Sequence, residues 1–157
     1  RSPKSQQALI HNLQQHKADP FLSYCDKLPL QSTLFQHRFH QEILTADAVI
    51  LGSPVYMWQF SAQTKLFVDR LFAMLNPDYS VKFKSGLPLV LVYTQGQPDV
   101  KAFAGYFDMN AKMFEFLKFK VIDTLVCGGC RNKEDVEKNE AIIAKAKEMG
   151  EYLTTLK

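Results

Sequence analysis

The chain predicts an α/β fold, a doubly wound parallel sheet flanked by helices, and three observations carry that expectation. Apolar runs of strand length at 47–52, 88–94 and 119–126 alternate with stretches of helical periodicity. The connections between them are short and hold Gly, Pro and Asn. The run Pro-Leu-Val-Leu-Val-Tyr-Thr at 88–94 is apolar without alternation, as in a strand covered on both faces. Strand and helix alternating in this way give parallel neighbours joined by right-handed crossovers.

The totals narrow the function classes. A chain of 157 residues, 46% of them hydrophobic, fills one domain over 1–157 with a core that requires no disulfides. A net charge of +3 without any basic run argues against a nucleic-acid surface, and Lys82, Lys84, Lys118, Lys120 and Lys133 are scattered as on a solvated face. Three cysteines do not make a secreted disulfide framework, so a reducing cytoplasm is the expected compartment. No apolar run approaches the roughly 18 residues of a membrane span, and no signal-peptide pattern is present. Folds of this class open on a buried strand. None precedes Arg1, so the first strand is expected to be missing from the sequence.

Residues 5–17 read as a helix with Ser5 as its cap and Leu9 and Leu13 as an apolar pair. Residues 18–32 resist assignment, apart from a short strand that 21–28 could hold. A second helix is expected over 34–45, with Phe35, Phe39 and Ile43 on one face. The strand at 47–52 then runs into a loop at 53–60. Ser61 caps the next helix, expected over 61–75, in which Ala62, Leu66, Val68, Leu71, Phe72 and Leu75 face inward and Lys65 pairs with Asp69. Asn76-Pro77-Asp78 stops it. After the strand at 88–94 comes a long helix over 100–117. Its apolar residues fall on two faces, 103/107/111/114 and 102/106/109/113/116, which implies two burials, one on the sheet and one on another subunit. A third strand (119–126), a Cys-Gly-Gly-Cys turn (127–130) and a closing helix (134–156) complete the order.

A parallel sheet delivers every strand's following loop to the same edge, so loops 1–5, 53–60, 94–99 and 127–133 should converge. The first of these, with Ser2, Lys4, Ser5 and Gln6, opens a helix whose free N–H groups and positive dipole end suit a phosphate; a plain capped terminus is the simpler alternative. The second crowds Pro54, Val55, Tyr56, Met57 and Trp58 where such folds bind ligands. These side chains offer a polarizable surface to a flat, partly apolar ligand such as an isoalloxazine ring, with core or subunit packing as the alternative, above all for Trp58 and Phe60. Thr94, Gln95 and Gly96 in the third bring a hydroxyl, amides and a flexible backbone to the neighbouring strand end.

The fourth loop holds Cys127 and Cys130. The spacing raises a thioredoxin-like dithiol or half of a metal site. The helix starts too late for the first and a second cysteine pair is missing for the second, so ordinary buried cysteines are expected, with the glycines letting backbone approach a ligand. His37 and His40 lie three apart, but no third ligand accompanies them, and no metal is expected. No Ser-His-Asp set, no acid–base carboxylate pair and no P-loop can be read. Side chains that bind rather than react point to a cofactor-driven activity.

Ala-Asp-Ala-Val-Ile-Leu-Gly-Ser-Pro-Val-Tyr (46–56) followed by Ser-Ala-Gln-Thr-Lys-Leu-Phe-Val-Asp-Arg (61–70) resembles the NADPH-dependent FMN reductase and multimeric flavodoxin group, flavodoxin-like proteins related to iron-sulfur flavoproteins. The resemblance covers residues 40–130. It implies a single flavodoxin-like FMN-binding domain, with 53–58 wrapping the flavin ring and Thr94, Gln95 and Gly96 bonding its pyrimidine side. Ser2-Pro3-Lys4 would stand for the family's Ser-Pro-Arg phosphate loop, whose leading glycine is here Arg1. The iron-sulfur members' cysteine cluster is not expected, since residues 18–40 contain Cys25 alone. The implied activity passes electrons from NAD(P)H through FMN to a flavin, quinone or similar small acceptor, in a homodimer or homotetramer. Two rival readings stand beside it: a flavodoxin-like electron carrier, against which a positive net charge argues, and a protein that keeps the fold but has lost flavin.

Overall fold

The structure, a computed structural model, describes residues 41–156, nearly all within one compact unit that spans Glu42–Lys157. The expectations for residues 1–40, including the helix at 5–17 and the phosphate loop, lie outside the described residues. Residues 41–45 are helical, as the second helix requires. There follow β1 (Val49–Tyr56), a two-residue β2 (Gln59–Phe60), α1 (Ala62–Arg70) with a 3₁₀ turn (Leu71–Met74), β3 (Leu87–Thr94), α2 (Ala104–Phe116), β4 (Phe119–Cys127), α3 (Lys133–Glu137) and α4 (Glu140–Thr154).

The described strands form one sheet in the order β2-β1-β3-β4. β1 pairs parallel with β3 from Val49↔Leu89 to Pro54↔Thr94, and β3 pairs parallel with β4 from Leu87↔Phe119 to Thr94↔Cys127. β3 is central and buried almost throughout, as its unbroken apolar run predicts. Its odd-numbered residues Leu87, Leu89, Leu91 and Tyr93 enter one core with Val68, Leu71, Phe107 and Phe114. Each fully buried leucine there contributes about 2 kcal/mol of apolar transfer. The upper end of this core is aromatic. Phe60 stacks on Tyr93 at 5.7 Å, and Tyr93 stacks on Phe107 at 4.3 Å.

Four boundaries differ from the expectation. The strand expected at 47–52 continues to Tyr56, because β2 turns back and pairs Val55↔Phe60 and Tyr56↔Gln59. Residues 53–60 are therefore a strand end and a hairpin, not a loop. The helix expected over 61–75 is α-helical only to Arg70 and then tightens into the 3₁₀ turn; Leu71 and Met74 enter the core while Leu66 and Phe72 stay exposed, as does Ala62. The tighter winding of the 3₁₀ turn brings Met74 into the core, and Leu75 packs against the core half-buried, as expected. The helix expected at 100–117 begins at Ala104 after a turn. The closing helix is broken at 138–139, where the Asn139 side chain caps α4 by accepting from the Ile142 N–H at 3.1 Å.

The two apolar faces of α2 fare differently. Phe107 and Phe114 are buried with Phe103 and Ala111 packed against the core; of the second face, Tyr106 and Met113 also pack against the core, whereas Met109 and Phe116 remain exposed. Lys65 and Asp69 form the expected pair. A β-bulge lies in β4: Leu89 pairs with Val121 but Val90 with Asp123, leaving Ile122 as the extra residue.

Candidate ligand site at the carboxyl edge of the sheet

Pro54 pairs with Thr94 and Thr94 with Cys127, so three parallel strands reach the same edge side by side on one rung. Three of the four loops expected to converge thus do so. Ser2, Lys4, Ser5 and Gln6 lie outside the described residues. Pro54 is half-buried within β1, and Val55 turns its side chain onto the core, a packing role rather than a ligand-facing one. Tyr56, Met57 and Trp58 project into solvent, with Met57 83% exposed.

Met57 and Trp58 are the two central residues of the hairpin and both have positive φ, 48° and 64°. Such turns usually take Asn-Gly, and a side chain in the left-handed region costs about 1–2 kcal/mol per residue. Two large apolar residues are thus held strained and exposed, with the Trp58 and Phe103 rings in a T-shaped contact at 6.2 Å. Phe60, also expected to serve packing, is buried between Tyr93 and Tyr106.

Two residues that the sequence did not single out anchor this hairpin. Buried Ser53 accepts the Ser61 N–H at 3.0 Å and donates its hydroxyl to the Pro54 carbonyl at 2.9 Å, tying β1 to the start of α1. Tyr106 accepts the Phe60 N–H through its hydroxyl at 2.8 Å. Ser53 carried a signal, a hydroxyl inside an apolar strand eight residues before a helix cap. Tyr106 carried none, because its partner is a backbone group 46 residues away. Beneath them Asn110 Nδ2 donates to Tyr93 Oη at 3.2 Å, and burial pushes the Tyr93 phenol well above its ordinary pKa, so it stays protonated.

Thr94 is half-buried, Gly96 exposed and Gln95 2% exposed. The Gln95 amide nitrogen donates to the Gln97 and Asp99 carbonyls, at 2.9 and 2.8 Å, which fixes the orientation of the side chain. Its amide N–H groups are therefore taken up within the turn and do not face a ligand as expected. Its Oε1, buried and without a hydrogen-bond partner, is left as an acceptor awaiting a donor. At Gly96 the space is open, a Cβ there meeting only the Cys130 carbonyl at 3.9 Å.

Loop 127–130 closes onto this turn. Gln95 N donates to the Cys127 carbonyl (2.9 Å), Cys130 N to the Gln95 carbonyl (2.8 Å) and Gly129 N to the Gln97 carbonyl (3.1 Å). The close approach that the glycines permit is thus to the chain itself: a Cβ at Gly128 would lie 2.6 Å from the Pro98 carbonyl oxygen. Among the described residues no group of three or more His, Cys, Asp or Glu is placed to hold a metal. None of the described helices is long and apolar enough to cross a membrane.

A mostly parallel α/β sheet with an exposed apolar hairpin and an orphaned acceptor at its carboxyl edge has its candidate site where open α/β folds bind ligands. The chain belongs to the flavodoxin-like fold family, whose profile matches residues 2–153. Among solved structures it is similar to general stress protein 14 from Treponema denticola in complex with FMN (12% identity, TM-score 0.56, covering 81% of this chain and 76% of that one). It is also similar to a putative quinone reductase from Klebsiella pneumoniae (18%, TM-score 0.52, 72% and 53%) and to an azoreductase from Bacillus anthracis str. Sterne (19%, TM-score 0.50, 80% and 63%). These likenesses show the fold. No curated protein matches the chain.

Proposed function

We propose that the protein is an FMN-dependent oxidoreductase that moves electrons from NAD(P)H to a quinone, azo compound, flavin or similar small acceptor. The observation that carries this reading is the juxtaposition, at the ends of the neighbouring strands β1 and β3, of an exposed apolar hairpin and a turn that holds a buried unsatisfied acceptor. The fold's likeness to an FMN complex, a quinone reductase and an azoreductase supports it. The residues present fit a flat ring that is apolar on its faces and polar along one side. Tyr56, Met57 and Trp58 would cover a face, while Thr94, Gly96 and Gln95 Oε1 would meet the polar edge. Ser2, Lys4, Ser5 and Gln6 would hold the phosphate.

FMN, when bound, would supply the two-electron chemistry. The protein's own part is to bind, to orient and to exclude water. The Met57-Trp58 turn keeps its side chains in solvent at a cost in backbone strain, the sign of a segment kept for a ligand. Ser53 and Tyr106 hold that turn in place. Protonated Tyr93 keeps the floor of the site neutral. Exposed Met109 and Phe116 on α2 support a homodimer or homotetramer, and the cysteine content supports a cytoplasmic setting.

Flavin fluorescence titration of the purified protein tests the reading. FMN should be quenched on binding, with Trp58→Ala and Gln95→Leu each binding at least about tenfold more weakly, the loss of one good contact. Steady NADPH oxidation should then follow addition of a quinone. A protein that leaves FMN fluorescence unchanged at high concentration refutes the proposal. Rapid FMN binding without reduction by NADPH would favour the electron carrier instead.

A further inference from the structure

The Cys-Gly-Gly-Cys turn holds an arrangement that flavin binding does not use. Cys127 is buried at the end of β4 and Cys130 is half-buried, and their sulfurs lie 3.2 Å apart with Cys130 Sγ donating to Cys127 Sγ. Closing to the roughly 2.0 Å of a disulfide needs only a small approach, and Gly129 at φ 74° already supplies the tight backbone. Cys127 Sγ also receives the Asn139 side-chain amide at 3.8 Å, which fixes it from α4. The same turn is laced to 95–97 by the three backbone bonds given above.

We propose that Cys127 and Cys130 are a redox-active dithiol, oxidised to an intramolecular disulfide by a hydroperoxide, and that the disulfide weakens ligand binding at the adjoining 94–97 turn. The second half rests on the FMN reading. In the reaction with hydrogen peroxide, the Cys130 thiolate attacks one peroxide oxygen, the O–O bond breaks and hydroxide leaves, giving a sulfenic acid. Cys127 sulfur then displaces the second hydroxide as the S–S bond forms. The two thiol protons complete two waters, and the two electrons lost by the sulfurs reduce the peroxide. Drawing Cys130 toward Cys127 pulls on its N–H bond to Gln95 and on that of Gly129 to Gln97, so the bond is felt where Gln95 Oε1 waits.

Burial, the hydrogen bond to Cys127 and the charges of Cys127 and Asp135 push the Cys130 thiol up to about 11. Cys127 across the turn and Asp135 from α3 are the titratable groups that face it, and both disfavour its anion; Asn139 from α4 is neutral. The thiolate is therefore scarce near neutrality, and oxidation should quicken about tenfold with each unit that the pH is raised toward that value. A buried, poorly ionised thiol is also a poor leaving group, which makes the disulfide, once formed, slow to reduce.

The test uses the whole chain in a Cys25→Ser background, leaving two thiols. Hydrogen peroxide at pH 8.5 should remove two hydrogens from the intact mass and block both cysteines from alkylation after denaturation, until dithiothreitol restores them. FMN affinity, from fluorescence titration, should fall roughly fivefold on oxidation, at the low end of couplings between sites, and recover on reduction. Cys130→Ser and Cys130→Ala should bind FMN as the reduced protein does and show no peroxide effect. Oxygen additions without loss of both thiols overturn the dithiol. A disulfide that leaves FMN affinity unchanged overturns the coupling. A disulfide that forms in a protein that never binds FMN refutes the FMN reading and the coupling, and supports the dithiol alone.

Discussion

The two sides of the candidate site are built by opposite means. The turn at 94–99 is held from within by Gln95, from beneath by three backbone bonds to 127–130, and by the glycine that lets the two loops touch. The hairpin at 56–59 has two pairs of ladder residues and two residues of unfavourable φ, and its side chains are in solvent. One side is finished before a ligand arrives, while the other keeps apolar surface and backbone strain in reserve. A ring that enters such a site loses little entropy against the first side and gains most of its burial from the second.

Gly128→Ala should break the contrast hardest. Its Cβ would strike the Pro98 and Gln97 carbonyl oxygens, backbone atoms that cannot step aside, so a loss of about 3 kcal/mol is expected. Thermal denaturation should show it as a melting temperature roughly 6–12 °C lower. Gln95→Ala should come next. It removes the side-chain bonds to the Gln97 and Asp99 carbonyls, which keep only the Gly129 and Ala102 N–H groups, a loss of about 2 kcal/mol by urea denaturation. An unchanged midpoint would mean that the turn is held by the 127–130 bonds alone.

The hairpin should answer with the other sign. Replacing Met57 by Asn and Trp58 by Gly puts residues suited to positive φ at both positions, and should raise stability by about 1–2 kcal/mol while weakening FMN binding. A gain in melting temperature with full FMN affinity would detach the strain from the site. Ser61→Ala removes the α1 cap, which accepts the Thr64 N–H at 3.3 Å, and should cost about 1 kcal/mol in equilibrium unfolding. If the hairpin depends on α1 through the Ser53–Ser61 bond, the same variant should also speed amide exchange at Phe60.

What could be read in the sequence was whatever one strand or helix decides alone. The unbroken apolar run at 88–94 is the central strand, the first apolar face of α2 is buried at Phe107 and Phe114, and the strand ends meet at one edge. What could not be read depends on a partner far along the chain. Residues 52–60 have a loop's Gly-Ser-Pro opening and no Asn-Gly, so nothing local announced a hairpin; Tyr106 from α2 and the Ser53–Ser61 bond hold it. The break at 138–139 was hidden because Asn139 fits a continuing helix until its side chain caps the next. Gln95 lies in the turn at the carboxyl edge, and nothing local in the sequence told that its amide would turn back onto its own loop.

The extra residue Ile122 in β4 has a further effect, on the phase of the ladder. Up to Leu89 the two strands run in step, and beyond it β4 is one residue ahead. Were the pairing regular, Val126 would sit opposite Thr94 and the first sulfur would ride past the rim of the sheet. The bulge sets the rung on which that sulfur stops, so an irregularity near the middle of the strand determines the chemistry presented at its tip.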